Sequence, residues 1–248
     1  MKKIVFIVIS LILTLQINLK ADEGMYLLSM LQKLNLGNKG MVLSADDIYA
    51  INNSSLKDAV VGLGRASNPY RFFCTGEIVS DKGLFITNHH CGYGAVQSHS
   101  SPEHDYLTDG FWAMSLDEEL TNEGMVVSIL VKMEDVTKHI LIGLNDDMSE
   151  EERSKKISES SKKLIKAATT DTHYGGVVKA MYEGNRFYLF IYETFKDIRL
   201  VGAPPSAIGK YGGDTDNWMW PRHTGDFSMF RIYSGTNNKP LEYTKDNK

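Results

Sequence analysis

No serine in this chain sits in a Gly-x-Ser-Gly context, and Ser98, Ser100 and Ser101 lie in a polar run that contains histidine but no glycine. A glycine-flanked serine nucleophile is therefore missing. Cys-x-x-Cys and His-Glu-x-x-His are missing as well, which removes the common zinc spacings. There is no basic excess, because 27 Lys and Arg face 31 Asp and Glu for a net charge of −4. Such a balance argues against a nucleic-acid partner. The sequence shows no internal repeat or low-complexity tract.

Long apolar runs are also scarce. The one that stands out, Ile4 to Leu15 behind Met1-Lys2-Lys3, is about a dozen residues long, short of the roughly 20 that cross a bilayer. These are the proportions of an export signal spanning residues 1–21, with Ala21 before the cut, although Leu19 is bulkier than a signal peptidase prefers. Cleavage there removes Lys2, Lys3 and Lys20 and no acid, so residues 22–248 are more acidic still. The expected location is the periplasm, the cell surface or the medium. Cysteine is rare too. The only two, Cys74 and Cys91, are most simply one disulfide in an exported protein.

Periodicity supplies the coarse architecture. Met25, Leu27, Leu28, Met30, Leu31 and Leu34 fall at helical spacing, and residues 44–60 read as a second helical or mixed segment with Ser44 as N-cap. Thr75–Ser80 and Leu84–His89 flank Asp81-Lys82-Gly83, a hairpin turn with glycine where a positive φ is required. Val126–Met133 reads as a strand, and the Glu- and Lys-rich Ser149–Ala168 as a helix with a solvated face. Val177–Tyr182 and Arg186–Tyr192 form a second hairpin around Glu183-Gly184-Asn185; Asp197–Val201 and Phe227–Tyr233 add strands. Short strands separated by turns imply a small antiparallel barrel carrying helical insertions.

Two stretches carry chemistry. Thr87-Asn88-His89-His90-Cys91-Gly92-Tyr93 sets a histidine beside a cysteine at a strand end, where a disulfide limits how far the histidine backbone wanders. A histidine so held suits proton transfer in acyl-transfer chemistry. Neighbours on a strand face opposite sides, so only one of the two histidines can face a cleft; His90, next to the cysteine, is chosen and His89 is assigned a structural place. Contiguous His89, His90 and Cys91 on one strand cannot converge on a metal ion, and His99 and His104 in a polar loop make no better case.

The second stretch, Gly212 to Phe227, is polar and glycine-rich yet holds Trp218 and Trp220, which suggests a ligand wall or a loop packed over the barrel end. Asp226, at the edge of the strand that follows, can orient a histidine, and spacing leaves Asp214 and Asp216 as competitors.

Together these residues resemble the S46 family of bacterial dipeptidyl peptidases, the dipeptidyl-peptidase 7 and 11 group. The similarity runs through Ala21-Asp22-Glu23-Gly24-Met25, Ser55 to Val60, Cys74-Thr75-Gly76-Glu77, Thr87 to Tyr93, Asp109-Gly110-Phe111-Trp112-Ala113, Val201-Gly202-Ala203-Pro204-Pro205 and Asp216 to Phe227. The resemblance implies His90 as the catalytic base and Asp226 as its partner, which decides among the three aspartates. It assigns Asn217, Trp218 and Arg222 to capture of a substrate's free amino terminus. It also implies a chymotrypsin-like double β-barrel with a helical domain inserted, peptide substrates, no cofactor, and a possible homodimer of the full-length enzyme.

In that family the serine and its oxyanion hole lie on the second barrel, so residues 22–248 are expected to be the amino-terminal part of the peptidase, carrying the first barrel. Gly62 to Phe72 is longer than the family's usual link and ends in aromatics, which should displace the strand entering the disulfide. The rival reading is a non-catalytic secreted peptide-binding module or the remnant of a disrupted gene.

Overall fold

The computed structural model describes residues 26–34, 36–145, 147–213, 215 and 218–234, so the expected export signal lies outside the described residues. Ten strands among them build one antiparallel sheet. They are β1 (Val60–Arg65), β2 (Cys74–Ile78), β3 (Leu84–Thr87), β4 (Phe111–Trp112), β5 (Leu120–Thr121), β6 (Met125–Asp135), β7 (Gly175–Met181), β8 (Arg186–Phe195), β9 (Asp197–Ala203) and β10 (Ser228–Tyr233). Their order is β4-β9-β10-β3-β2-β1-β6-β8-β7, with β5 also on β9.

The middle of this sheet curls on itself. β6 meets β9 across the interior, so β6, β1, β2, β3, β10 and β9 wrap around Val61, Leu63, Phe85, Val127, Leu200 and Phe230. Strand periodicity drives the curl: Ser228, Phe230 and Ile232 of β10 point inward while Met229 and Arg231 are only half-buried. β7 and β8 extend beyond the curl and receive a second layer. There the helix Glu150–Thr169, opened by a Ser149/Glu152 capping box, lays Ile157, Leu164, Ile165 and Ala168 against Val136, Ile140, Phe187 and Leu189. Its solvated face is real, and so is this apolar stripe between the charges.

Three expectations change. The Leu28–Lys33 segment is a 3-10 helix, and residues 44–60 divide into the short helix Ala45–Ile48, capped by Ser44, and the 3-10 turn Leu56–Ala59. Residues 62–65 of the expected link do not form a loop. Instead β1 pairs with β2 in the register Val61↔Gly76 and Leu63↔Cys74, and the extra residues fold back until Phe73 N–H donates to Leu63 O at 2.9 Å.

The glycines that hide β1 in the sequence exist for that fold-back. A Cβ at Gly62 would meet the Phe72 ring at 2.7 Å, and one at Gly64 the Pro69 carbonyl oxygen at 2.7 Å. Third, β3 ends at Thr87 rather than running to His89, and the chain turns at Asn88 into the helix His89–His99. The hairpin turn itself is as expected, with Gly83 at φ 68°.

The far end of β10 is clamped by a buried carboxylate. Arg231 Nε donates to Glu119 Oε1 at 2.8 Å, Tyr233 OH donates to Glu119 Oε2 at 2.8 Å, and Arg231 Nη1 donates to Lys82 O at 3.0 Å. The Glu119 side chain is 2 % exposed. Burial, reinforced by the Glu119 carboxylate, pushes the Tyr233 phenol up to about 12. Removing Glu119 leaves a guanidinium stranded in a mostly buried site. Glu119→Ala is therefore expected to lower unfolding stability by about 3 kcal/mol in urea titrations, and adding Arg231→Met should recover part of that loss; a change under about 1 kcal/mol in the single variant would show that the clamp is dispensable.

Candidate active site

The helix His89–His99 begins unusually. Asn88 occupies the N-cap with φ −69° and ψ 153°, a conformation in which an asparagine normally turns its own oxygen onto an N–H of the first turn. It does not do so here. The cap comes from another part of the chain: Asp226, just ahead of β10, accepts the His90 backbone N–H on Oδ1 at 3.1 Å. Its other oxygen, Oδ2, lies 3.0 Å from His90 Nδ1 and accepts from Asn88 Nδ2 at 3.1 Å.

One carboxylate thus meets a backbone N–H, a side-chain amide and a ring nitrogen at the positive end of a helix. An ionised carboxylate only accepts, so the shared proton belongs on His90 Nδ1 and Nε2 is left as a bare acceptor. The Asp226 side chain is 12 % exposed and the His90 side chain 58 %. The acid is enclosed while the imidazole opens to a surface.

The scaffold beneath the pair is tightly tied. Ser228 Oγ, fully buried on β10, donates to Asn88 O at 2.9 Å. Gly92 permits this approach, since a Cβ there would sit 2.4 Å from Ser228 Oγ and 3.2 Å from the Phe230 ring. The disulfide Cys74–Cys91 joins the helix's first turn to β2, with 6.0 Å between the Cα atoms. Cys74, Cys91 and His90 do bring three potential ligand atoms within 4.8 Å of one another. Both sulfurs are consumed in the disulfide, however, and metals bind thiolates.

His89 is fully buried, its ring covered by the backbone of Gly209, where a Cβ would lie 2.3 Å from the ring Cγ. The two histidines therefore do diverge, but through the angular step of a helix rather than the alternation of a strand. Neither His89 ring nitrogen has a hydrogen-bond partner among the described residues. Burial lowers its pKa below the ordinary 6.5, outweighing the nearby negative charge of Asp226, while Lys210 and His90 push in the same downward direction.

The remaining polar candidates are engaged locally. His99 Nε2 lies 3.2 Å from Asn122 Oδ1, His104 stacks on Tyr106, and Ser98 and Ser100 donate to the carbonyls of Ala95 and Val96. Ser101 Oγ donates to Glu103 Oε2 at 2.9 Å.

On the loop before β10, Asp214, Asp216 and Asn217 lie outside the described residues. Trp218, Met219, Trp220 and Arg222 are exposed, and the Trp220–Pro221 peptide is cis. The loop's end is fastened by Gly225 N–H donating to Ile208 O at 3.0 Å and Thr224 Oγ1 donating to Gly209 O at 3.0 Å. The structure thus brings His90 and Asp226 together and leaves Trp218 and Arg222 facing solvent on the segment that delivers Asp226. Asn88 is the site residue that sequence reasoning passed over. Its signal was present, an N-cap residue type directly after an apolar strand, but the histidines behind it were read as strand.

Comparison with known proteins gives a consistent picture. The family model described as Peptidase S46 matches residues 21–248. The chain is 51 % identical over 227 residues to the Asp/Glu-specific dipeptidyl-peptidase of Flavobacterium psychrophilum, covering 90 % of this chain and 31 % of that protein. Over 251 residues it is 44 % identical to dipeptidyl-peptidase 7 of Capnocytophaga gingivalis, covering 100 % of this chain and 34 % of the relative. The crystal structure of Porphyromonas endodontalis DPP11 in complex with the dipeptide Arg-Asp superposes with a TM-score of 0.76 at 46 % identity, over 91 % of this chain and 32 % of that one. The chain spans about a third of the length of the curated relatives it matches.

The buried His89 makes stability depend on pH in a stated direction. The unfolded chain takes up a proton near 6.5 and the folded one resists it, so stability falls as pH drops below about 6.5 and levels off below the folded-state pKa. His89→Leu removes this component. In thermal melts between pH 8 and 5, the wild type should lose up to about 1.4 kcal/mol per pH unit more than the variant; parallel profiles would contradict the buried neutral state.

Proposed function

Because the chain belongs to the peptidase S46 family, we propose that it supplies the general base and its orienting acid to a serine-type dipeptidyl peptidase, one that releases dipeptides from the free amino end of peptides. The observation that carries this reading is the 3.0 Å contact between His90 Nδ1 and Asp226 Oδ2, which fixes the tautomer and turns Nε2 into a proton acceptor. His90 Nε2 takes the proton of the nucleophilic hydroxyl as its oxygen attacks the scissile carbonyl. Asp226 stabilises the imidazolium so formed, and His90 then passes the proton to the departing amine as the C–N bond breaks. The nucleophile comes from the part of the family's length that this chain does not span, on a second barrel facing the open side of His90.

Substrate capture falls to the loop before Asp226. In this reading Asn217 offers its amide oxygen to the substrate ammonium, Trp218 supplies an apolar wall, and Arg222 fixes a carboxylate by a bidentate contact. The exposure of Trp218 and Arg222 on a loop fastened beside the histidine supports that assignment. Export is supported by the disulfide, which persists in oxidising compartments. The six curled strands support a chymotrypsin-like first barrel.

The test is turnover by the protein encoded by the complete reading frame that contains this sequence. Fluorogenic dipeptidyl amides with a free amine are expected to be cleaved and their N-acetylated counterparts left intact. His90→Ala and Asp226→Asn should each lower kcat by roughly 10³- to 10⁴-fold. Full activity in His90→Ala, or peptide binding without turnover in the wild type, would overturn the reading; the second result would favour a peptide-binding module.

A further inference from the structure

Asn88 departs from what its position dictates. An asparagine at an N-cap gains about 1 kcal/mol by accepting a first-turn N–H with its own side chain. Here the amide points the other way, donating from Nδ2 to Asp226 Oδ2 at 3.1 Å and to the Asp226 carbonyl oxygen at 3.4 Å. Both partners only accept, so chemistry fixes which end of the amide faces them. The local cap has been exchanged for a contact across more than a hundred residues of chain.

The exchange has a geometric consequence. Oδ1 of Asp226 is held by the His90 backbone N–H, but Oδ2 would otherwise be held only by the imidazole it is meant to orient. A half-exposed imidazole is a poor anchor, because its ion pair with a carboxylate competes with water. Asn88 is a good one: its carbonyl is fixed by the fully buried Ser228, and its backbone begins the helix that the disulfide ties down one turn later. The amide therefore sets the plane of the carboxylate independently of the histidine.

We infer that Asn88 is a positioning residue of the His90–Asp226 pair, holding the Asp226 carboxylate so that it captures Nδ1–H and keeps Nε2 free of a proton. The inference rests on the reading of that pair as base and orienting acid.

Nitrogen-15 NMR of the His90 ring, recorded at a pH where the ring is neutral, tests it on the protein from the complete reading frame without any need for turnover. The wild type should show the Nδ1–H tautomer. Asn88→Ala and Asn88→Ser should each lower the ratio of Nδ1–H to Nε2–H by roughly fivefold or more, the loss expected for one hydrogen bond to a charged group. Serine is as good an N-cap as asparagine, so Asn88→Ser should keep its melting temperature while losing the tautomer preference. Unchanged tautomers in both variants would overturn the inference, and so would a normal tautomer in Asn88→Ser alone, which would mean that the carboxylate keeps its plane without the amide. A wild type that lacks the Nδ1–H form would remove the pair reading and this inference together. A protein with the expected tautomers but no peptidase activity would leave the inference standing and defeat only the proposed function.

Discussion

The site depends on one carboxylate that closes a helix from outside. Asp226 accepts the His90 backbone N–H, faces the His90 ring and takes the Asn88 amide, so a single side chain starts the helix, aims the imidazole and joins β10 to the turn after β3. An exposed histidine–aspartate contact by itself is worth about 0–1 kcal/mol and would not hold a geometry. With the imidazole 58 % exposed and the acid 12 %, the pair owes its arrangement to the framework beneath it. That framework is covalent at Cys74–Cys91, hydrogen-bonded at Ser228, and sterically permissive at Gly92.

The sheet explains why these residues meet. β10 pairs with β3 in the register Ser228↔Thr87 and Phe230↔Phe85, and the two phenylalanine rings stack at 5.5 Å inside the curl. That register sets Asp226 opposite the residues that follow Thr87. Sliding β10 by one residue would turn its buried set outward and carry the carboxylate away from the helix start. The Glu119 clamp at the other end of β10 works against such a slip. Packing and polar satisfaction thus agree on one arrangement, and the fastened loop from Ile208 to Gly225 fixes the approach of the chain to Asp226.

Much of this was legible in the sequence where local signals were strong. The turn at Gly83, the hairpin around Gly184 and the Ser149-capped helix all declare themselves through turn residues, alternation or capping chemistry. β1 was not legible, because Gly62 and Gly64 remove side-chain periodicity for the sake of a loop that folds onto them, a reason that only tertiary structure contains. The helix at His89 was missed because its cap is supplied by Asp226, 138 residues after the N-cap position. A local rule looks for a capping side chain at the N-cap itself; here the asparagine was present but turned away. The choice of His90 over His89 came from a strand argument that does not apply, since both lie in the first turn of a helix, and Asp226 could be singled out only through the family resemblance.

The chain belongs to the S46 family and superposes on DPP11 with a TM-score of 0.76, while it spans about a third of the length of these relatives. The central claim, that His90 is the base of a dipeptidyl peptidase, is tested most directly by covalent capture. A dipeptidyl chloromethyl ketone with a free amine, incubated with the protein from the complete reading frame, should lose chloride to attack by His90 Nε2 and leave its alkyl group on that one residue, as read by peptide mass mapping. Blocking the amine should abolish the modification. Alkylation at another residue, or equal labelling by the acetylated reagent, would contradict the account.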